Sequence, residues 1–263
     1  MIKKYTLDDI VGLDEKIVKL KRDVKKIADN PYPVLIVGET GTGKELFAQS
    51  IHYASNRKEK PFLAQNCAAV PSSLFESILF GTAKGGFTGA MDQAGLFEQA
   101  CGGTLLLDEI TMLPPFLQSK LLRVLQEHYV RRIGGSRDIP VNVRVITTTN
   151  ESLEQLVDEG SFRRDLYYRL NAITLEVPPL RNRKSDIPEL VKFFIEKNSK
   201  KLSSEIKGIS WDALQKLMNY DYPGNVRELE NIIIAAIATT DNKEVLQIED
   251  IISNGVSIIP NNS

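Results

Sequence analysis

At 263 residues the chain has room for one large domain, or for a large and a small one. An apolar share of 42% and a charged share of 25% are those of an ordinary globular protein, and a near balance of 33 basic against 34 acidic residues excludes a surface devoted to coating nucleic acid. Only Cys67 and Cys101 are present, far apart, which excludes a disulfide framework or a paired-cysteine zinc site. His52 and His128 are likewise isolated, which suits surface or packing roles. No apolar run approaches the roughly 18 residues of a membrane span, so a cytoplasmic protein without a membrane partner is expected.

In residues 13–27, Leu13, Ile17, Leu20, Val24 and Ile27 recur at steps of three and four, one apolar helix face. Asn30-Pro31-Tyr32-Pro33 ends it. Val34–Val37 is an apolar, β-branched run suited to a strand buried on both faces. It runs into Gly38-Glu39-Thr40-Gly41-Thr42-Gly43-Lys44, the G-x-x-x-x-G-K spacing of a Walker A loop. There the glycines let backbone N–H groups point at an anion, the following helix adds its positive end, and Lys44 supplies a mobile charge. Glu45 stands where a Ser or Thr is the rule. Residues 61–66 read as a second strand and Ser72–Phe80 as a helix with Leu74, Phe75, Ile78 and Leu79 inward. Residues 81–95 are too rich in glycine for regular structure, so a mobile loop is expected. Its Phe87 either packs back on its own domain or is presented to a partner.

Residues 102–109 set three leucines before Asp108 and Glu109, the form of a Walker B strand: Asp108 for a magnesium shell, Glu109 to activate water. A helix from Pro114 to Glu127 and a basic turn around Gly134-Gly135 follow. Residues 141–147 alternate like a strand and lead to Asn150, which a parallel sheet would bring beside the nucleotide. Residues 162–170 carry Arg163, Arg164 and Arg169, either a solvated face or a charge stabiliser offered to another subunit. After a last strand at 173–177, Pro178-Pro179 breaks the pattern. The expected division is a nucleotide-binding α/β domain over residues 1–178, a helical domain over 179–253 and a disordered tail over 254–263. Helical patterns in the second cover 187–199, 210–218, 225–238 and Ile248–Ile252, with Asn225 as an N-cap. Arg227, a cation in a first helical turn, calls for an anionic partner.

These stretches resemble the AAA+ domain of bacterial sigma-54-dependent transcription activators, also called enhancer-binding proteins, from about Asp9 to Ile252. The most specific element is Gly85-Gly86-Phe87-Thr88-Gly89-Ala90, which is similar to that family's G-A-F-T-G-A loop. Glu45 is also the family's own Walker A form. The resemblance implies an AAA+ P-loop NTPase, a parallel sheet sandwiched by helices with a small all-helical C-terminal lid, that binds ATP and magnesium. By position, Gly38 to Glu45 would hold the nucleotide, Ile10, Val11 and Gly12 would line the adenine pocket, and Arg227 would be sensor II. Asp108 would bind magnesium and Glu109 the lytic water. Asn66 would restrain Glu109 through a hydrogen bond, Asn150 would be sensor I, and Arg163 and Arg169 would reach the neighbouring subunit's ATP.

The implied function is ATP hydrolysis in a hexameric ring whose Phe87 loop acts on sigma-54 in RNA polymerase holoenzyme to open promoters. Enhancer DNA would be reached through a domain outside this chain. Gly86 replaces the family's Ala and is expected to loosen the loop tip, Tyr222 replaces a Trp, and Cys101 is expected only to pack. One alternative is an AAA+ DNA remodeller or translocase, supported by the basic turn at residues 131–137. Another is a nucleotide-gated binding module without turnover, against which Glu109 and the arginines count.

Overall fold

The computed structural model of the chain describes residues 4–86, 91–241 and 243–252. They fall into two compact units. The first takes Asp23–Gly38 and Lys44–Glu176 with the short stretch before Asp8; the second takes Asp8–Arg22, Glu39–Gly43 and the chain from Val177 onward.

The first unit is built on five parallel strands: β1 (Val34–Val37), β2 (Phe62–Asn66), β3 (Thr104–Asp108), β4 (Arg144–Thr149) and β5 (Ile173–Glu176), in the order β2-β3-β4-β1-β5. Burial follows that order. Strands β3 and β4 are covered on both faces, so the Leu105-Leu106-Leu107 run has no exposed side, whereas β2 and β5 at the edges carry exposed residues. The alternation of residues 141–147 misplaces β4. Val141 is buried but bonds through its N–H to His128 O, outside the sheet. Pairing starts at Arg144, whose buried guanidinium donates to Ile27 O at 2.8 Å and to Ala28 O, closing the end of helix Glu15–Ile27.

Two further sequence expectations are corrected by helix geometry. In Ser72–Phe80, Phe75 and Leu79 form the inward stripe, while Leu74 is 54% exposed. Leu13 is 70% exposed because the first helix begins only at Glu15; Ile17, Leu20 and Val24 carry the buried face. Cys101 is exposed rather than packed.

Residues 81–95 are not a plain loop. Gly81–Thr82 pairs antiparallel with Gln93–Ala94, and Tyr129–Val130 pairs likewise with Ile139–Pro140. The two hairpins touch backbone to backbone, with Ala83 N donating to Ile133 O at 2.9 Å and Ile133 N to Gly81 O at 3.0 Å. A Cβ at Gly86 would lie 2.7 Å from Ile133 O and 3.0 Å from Gly134 Cα. Gly86 is therefore a close-approach glycine, not a loosened one. Phe87, Thr88, Gly89 and Ala90 lie outside the described residues.

The second unit gathers helices Ile187–Leu202, Trp211–Met218, Asn225–Thr239 and Ile248–Ile252 around Leu190, Phe194, Leu217, Tyr222, Leu229 and Ile233. Asn225 is not the expected cap. Gly224 holds that position, and Asn225, at φ +54°, is fully buried with Oδ1 accepting from Leu180 N at 2.8 Å.

Candidate functional site

The phosphate-loop sequence leaves β1 at its carboxyl end, where parallel sheets present ligand sites. Gly38 N donates to Thr149 O at 3.1 Å, tying the start of the loop to β4. Lys44 opens helix Lys44–Tyr53 and turns its Nζ onto Gly38 O at 2.7 Å. Thr42 folds back on Glu39 O through both its N–H and its hydroxyl. Gly41 has φ +80°, and a Cβ there would stand 2.2 Å from Gly224 O, so no other residue fits. The Glu39 carboxylate accepts from Arg181 at 2.8 Å and from Asn225 Nδ2 at 3.1 Å. Those two bonds hold its pKa down to about 2. Glu45 is exposed and accepts from Gln49.

Within the second unit Ile10 is buried and Val11 packs on the helical core. The turn beyond Gly12 is fixed by a buried carboxylate: Leu13 N and Asp14 N donate to Asp186 Oδ1 at 2.6 and 2.7 Å. Arg227 is exposed in the first turn of helix Asn225–Thr239.

The two carboxylates sit at the end of β3. Register sets Asn66 beside Asp108, and Asn66 Nδ2 donates to Asp108 Oδ2 at 3.1 Å. The partner expected for Asn66 was Glu109; here its amide serves Asp108 instead. The hydroxyl of Thr148 donates to Asp108 Oδ1 and accepts from Glu109 N at 3.0 Å. Glu109 is in the left-handed region at φ +56°, a turn that β3 could not make by continuing as a strand. Beside them the Cys67 thiol is pushed up to about 12, by burial first and by the charges of Asp108 and Glu109 second. Asn150 follows β4 directly and is exposed. Among the described residues no three His, Cys, Asp or Glu side chains gather as a metal cage. A lone oriented carboxylate suits magnesium, which keeps waters and phosphate oxygens as its other ligands.

The arginines differ in their surroundings. Arg163 is about half exposed and forks onto Asp165 at 2.7 and 3.0 Å. Arg164 is exposed and 3.4 Å from Asp158. Arg169 donates to Leu125 O at 2.7 Å, closing the C-terminal turn of helix Pro115–Glu127. Buried Gln118 positions this segment, accepting from Arg163 N and donating to Ser161 O.

Residues 10–176 match the family model described as the sigma-54 interaction domain, and residues 181–257 match the AAA+ ATPase lid domain. The chain belongs to the sigma-54 interaction domain family. A similar protein is the transcriptional activator RocR of Bacillus subtilis, 54% identical over 233 residues that cover 89% of this chain and 50% of RocR. The DNA-binding transcriptional activator HyfR of Escherichia coli is 52% identical over 241 residues, covering 91% of this chain and 36% of HyfR. The chain thus spans half or less of the length of these curated relatives. Among solved structures, NtrX from Brucella abortus in complex with ADP superposes with a TM-score of 0.85 at 34% identity, covering 92% of this chain and 54% of NtrX. NtrX in complex with ATP matches equally well. The parallel sheet flanked by helices and the helical lid are therefore the AAA+ fold of this family.

Sequence reasoning about this sigma-54 interaction domain missed Thr148, Gln118 and Asp186. Thr148 and Gln118 are polar side chains buried within a strand and a helix whose apolar residues dominate the reading, and Asp186 is buried at the end of a short polar turn, Lys184–Asp186; nothing local in the sequence marks any of the three as buried.

Proposed function

We propose that this chain is the ATP-hydrolysing unit of a sigma-54-dependent transcription activator. The observation that carries the reading is the carboxylate pair at the end of β3, with Asp108 held by Asn66 and Thr148 and Glu109 held in a left-handed turn by the same threonine. That arrangement gives two adjacent carboxylates separate tasks, one fixed and one turned outward. ATP is taken by residues 38–45 with Ile10, Val11, Gly12 and Arg227. Lys44 moves from Gly38 O to the phosphates, and Glu109 accepts the proton of the attacking water, with Asn150 orienting it. Magnesium, with Asp108 in its shell, would supply charge neutralisation at the phosphates. Arg163 and Arg169 act on the ATP of a neighbouring copy in a ring, by resemblance a hexamer. Arg163 must then leave Asp165 and Arg169 must leave Leu125 O, exchanges that assembly drives. The loop of residues 85–90 would transmit the cycle to sigma-54 in the polymerase holoenzyme in the cytoplasm and drive open-complex formation. Enhancer DNA would be bound by another part of the full activator.

The remodeller alternative rests on the basic turn, two of whose three arginines are already engaged. Arg131 pairs with Asp138, and Arg132 with Asp92 and Glu98. A phosphate-release assay at rising protein concentration tests the reading. Turnover per chain should rise with assembly, Glu109→Gln should abolish it with ADP binding retained, and Thr88→Ala should lose sigma-54 binding with hydrolysis intact. Hydrolysis by Glu109→Gln at the wild-type rate would refute the assignment.

A further inference from the structure

A phosphate loop works only if its N–H groups face the anion, and a peptide whose N–H points inward turns its carbonyl outward. Outward carbonyls need donors of their own. Every carbonyl from Gly38 to Thr42 has one. Gly38 O accepts from Lys44 Nζ, and Glu39 O from Thr42. The next three are served from the C-terminal part of the chain: Thr40 O by Asn225 Nδ2 at 3.1 Å, Gly41 O by Arg227 N at 3.3 Å and Thr42 O by an Arg183 Nη at 3.0 Å.

Asn225 and Arg183 are buried, and further contacts fix each side chain in place. Asn225 is fully buried and uses its amide three ways, with Oδ1 on Leu180 N and Nδ2 on both Glu39 and Thr40. Its φ of +54° is a conformation that asparagine tolerates better than most side chains. Arg183 is 3% exposed, with one nitrogen on Thr42 O and another 3.7 Å from Asp186, the carboxylate that also fixes Leu13 N and Asp14 N. The fork of a guanidinium can serve two acceptors at once in a way an ammonium cannot.

We propose that Asn225 and Arg183 are positioning residues that preset the phosphate loop by holding the Thr40 and Thr42 carbonyls outward. This rests on the nucleotide-binding reading above. Neither side chain needs to touch the nucleotide; each acts by fixing a peptide plane whose N–H does.

The test uses ADP titration calorimetry and ATP turnover on the full chain. Asn225→Asp keeps the acceptor for Leu180 N but removes the donor to Thr40 O, and Glu39→Gln added to it removes the new carboxylate pair. Arg183→Lys keeps the charge beside Asp186 and loses the fork. Each of the double variant and Arg183→Lys should weaken ADP by about tenfold or more, the factor one lost hydrogen bond supplies. The KM for ATP should rise in parallel with kcat at saturation nearly unchanged, a split that general loosening of the fold would not produce. ADP affinity at the wild-type level in a folded variant overturns the proposal, as does full rescue of Asn225→Asp by Glu39→Gln, which would assign the loss to charge repulsion. Should both variants fail to fold, amide exchange on the wild type decides. The Asn225 side-chain amide protons, donated to Glu39 and to Thr40 O, should be protected without ADP, and fast exchange there overturns the proposal. A wild-type chain that binds neither ADP nor ATP refutes the nucleotide reading itself, and this proposal with it.

Discussion

Replacing Thr148 by valine removes one hydroxyl at the junction of the two carboxylates and leaves the side-chain volume almost unchanged. Thr148 is fully buried, so no water takes the place of the lost group. Two bonds go: the neutral one from Glu109 N at 3.0 Å and the charge-assisted one to Asp108. A neutral bond contributes about 1 kcal/mol net and one to a charged group about 1.5–3. Asp108 is only half-buried and can recover water, which sets the expected loss near the low end, about 2.5 kcal/mol. In a protein of this size that lowers Tm by roughly 5–10 °C. Catalysis should suffer more than stability. Glu109 would keep its carboxylate but lose the tether on its left-handed turn, and a general base misplaced by about 1 Å costs about a hundredfold. Thr148→Val should therefore lower kcat by roughly ten- to a hundredfold, with ADP affinity preserved and Thr148→Ser restoring most of the rate. Calorimetry and a phosphate-release assay give both numbers. A valine variant with wild-type Tm and wild-type kcat would refute the role given to this hydroxyl.

Other outcomes follow from burial. Native protein at pH 8 should show one fast thiol towards Ellman's reagent, Cys101, with Cys67 reacting only on unfolding; two fast thiols would contradict the shielding of Cys67. Burial drives the His52 pKa down to about 4, so the folded state refuses a proton that the unfolded chain accepts. Stability contributed by neutral His52 is complete above pH 6.5 and declines as pH falls towards 4, by about 2 kcal/mol at pH 5. His52→Gln should flatten that part of the Tm–pH curve, and an unchanged slope would show the histidine is not responsible. On helix Ser72–Phe80, Leu79→Ala should cost about 2–5 kcal/mol and Leu74→Ala less than about 0.5 by urea denaturation; equal losses would contradict the assigned inward face.

The strands, the phosphate loop and the carboxylate pair were legible in the sequence because each is written locally: four or five apolar residues followed by glycines or acids. Strand β4 was misread because Val141, Val143 and Val145 imitate a strand, while true pairing begins at a buried arginine that no alternation pattern anticipates. Leu74 was misassigned because adjacent apolar residues blur a helix face that Phe75 and Leu79 define. Asn225 was read as a cap, the commonest use of asparagine at a helix start; its bonds to Leu180, Glu39 and Thr40 join residues up to 186 positions apart. Separation along the chain also hid Thr148, whose partners lie 39 and 40 positions away, and Asp186, whose partners lie 172 and 173 away. What a pattern cannot convey is which buried polar group answers which.

Arg144 illustrates what such an answer entails for the history of the chain. Its guanidinium ends helix Glu15–Ile27 by feeding main-chain oxygens 116 and 117 positions away. Lysine is too narrow a donor to reach both, and a hydrophobe would strand them without water. Drift at this site is therefore permitted only alongside drift in the helix end it serves, and descendants should either keep both or exchange both together.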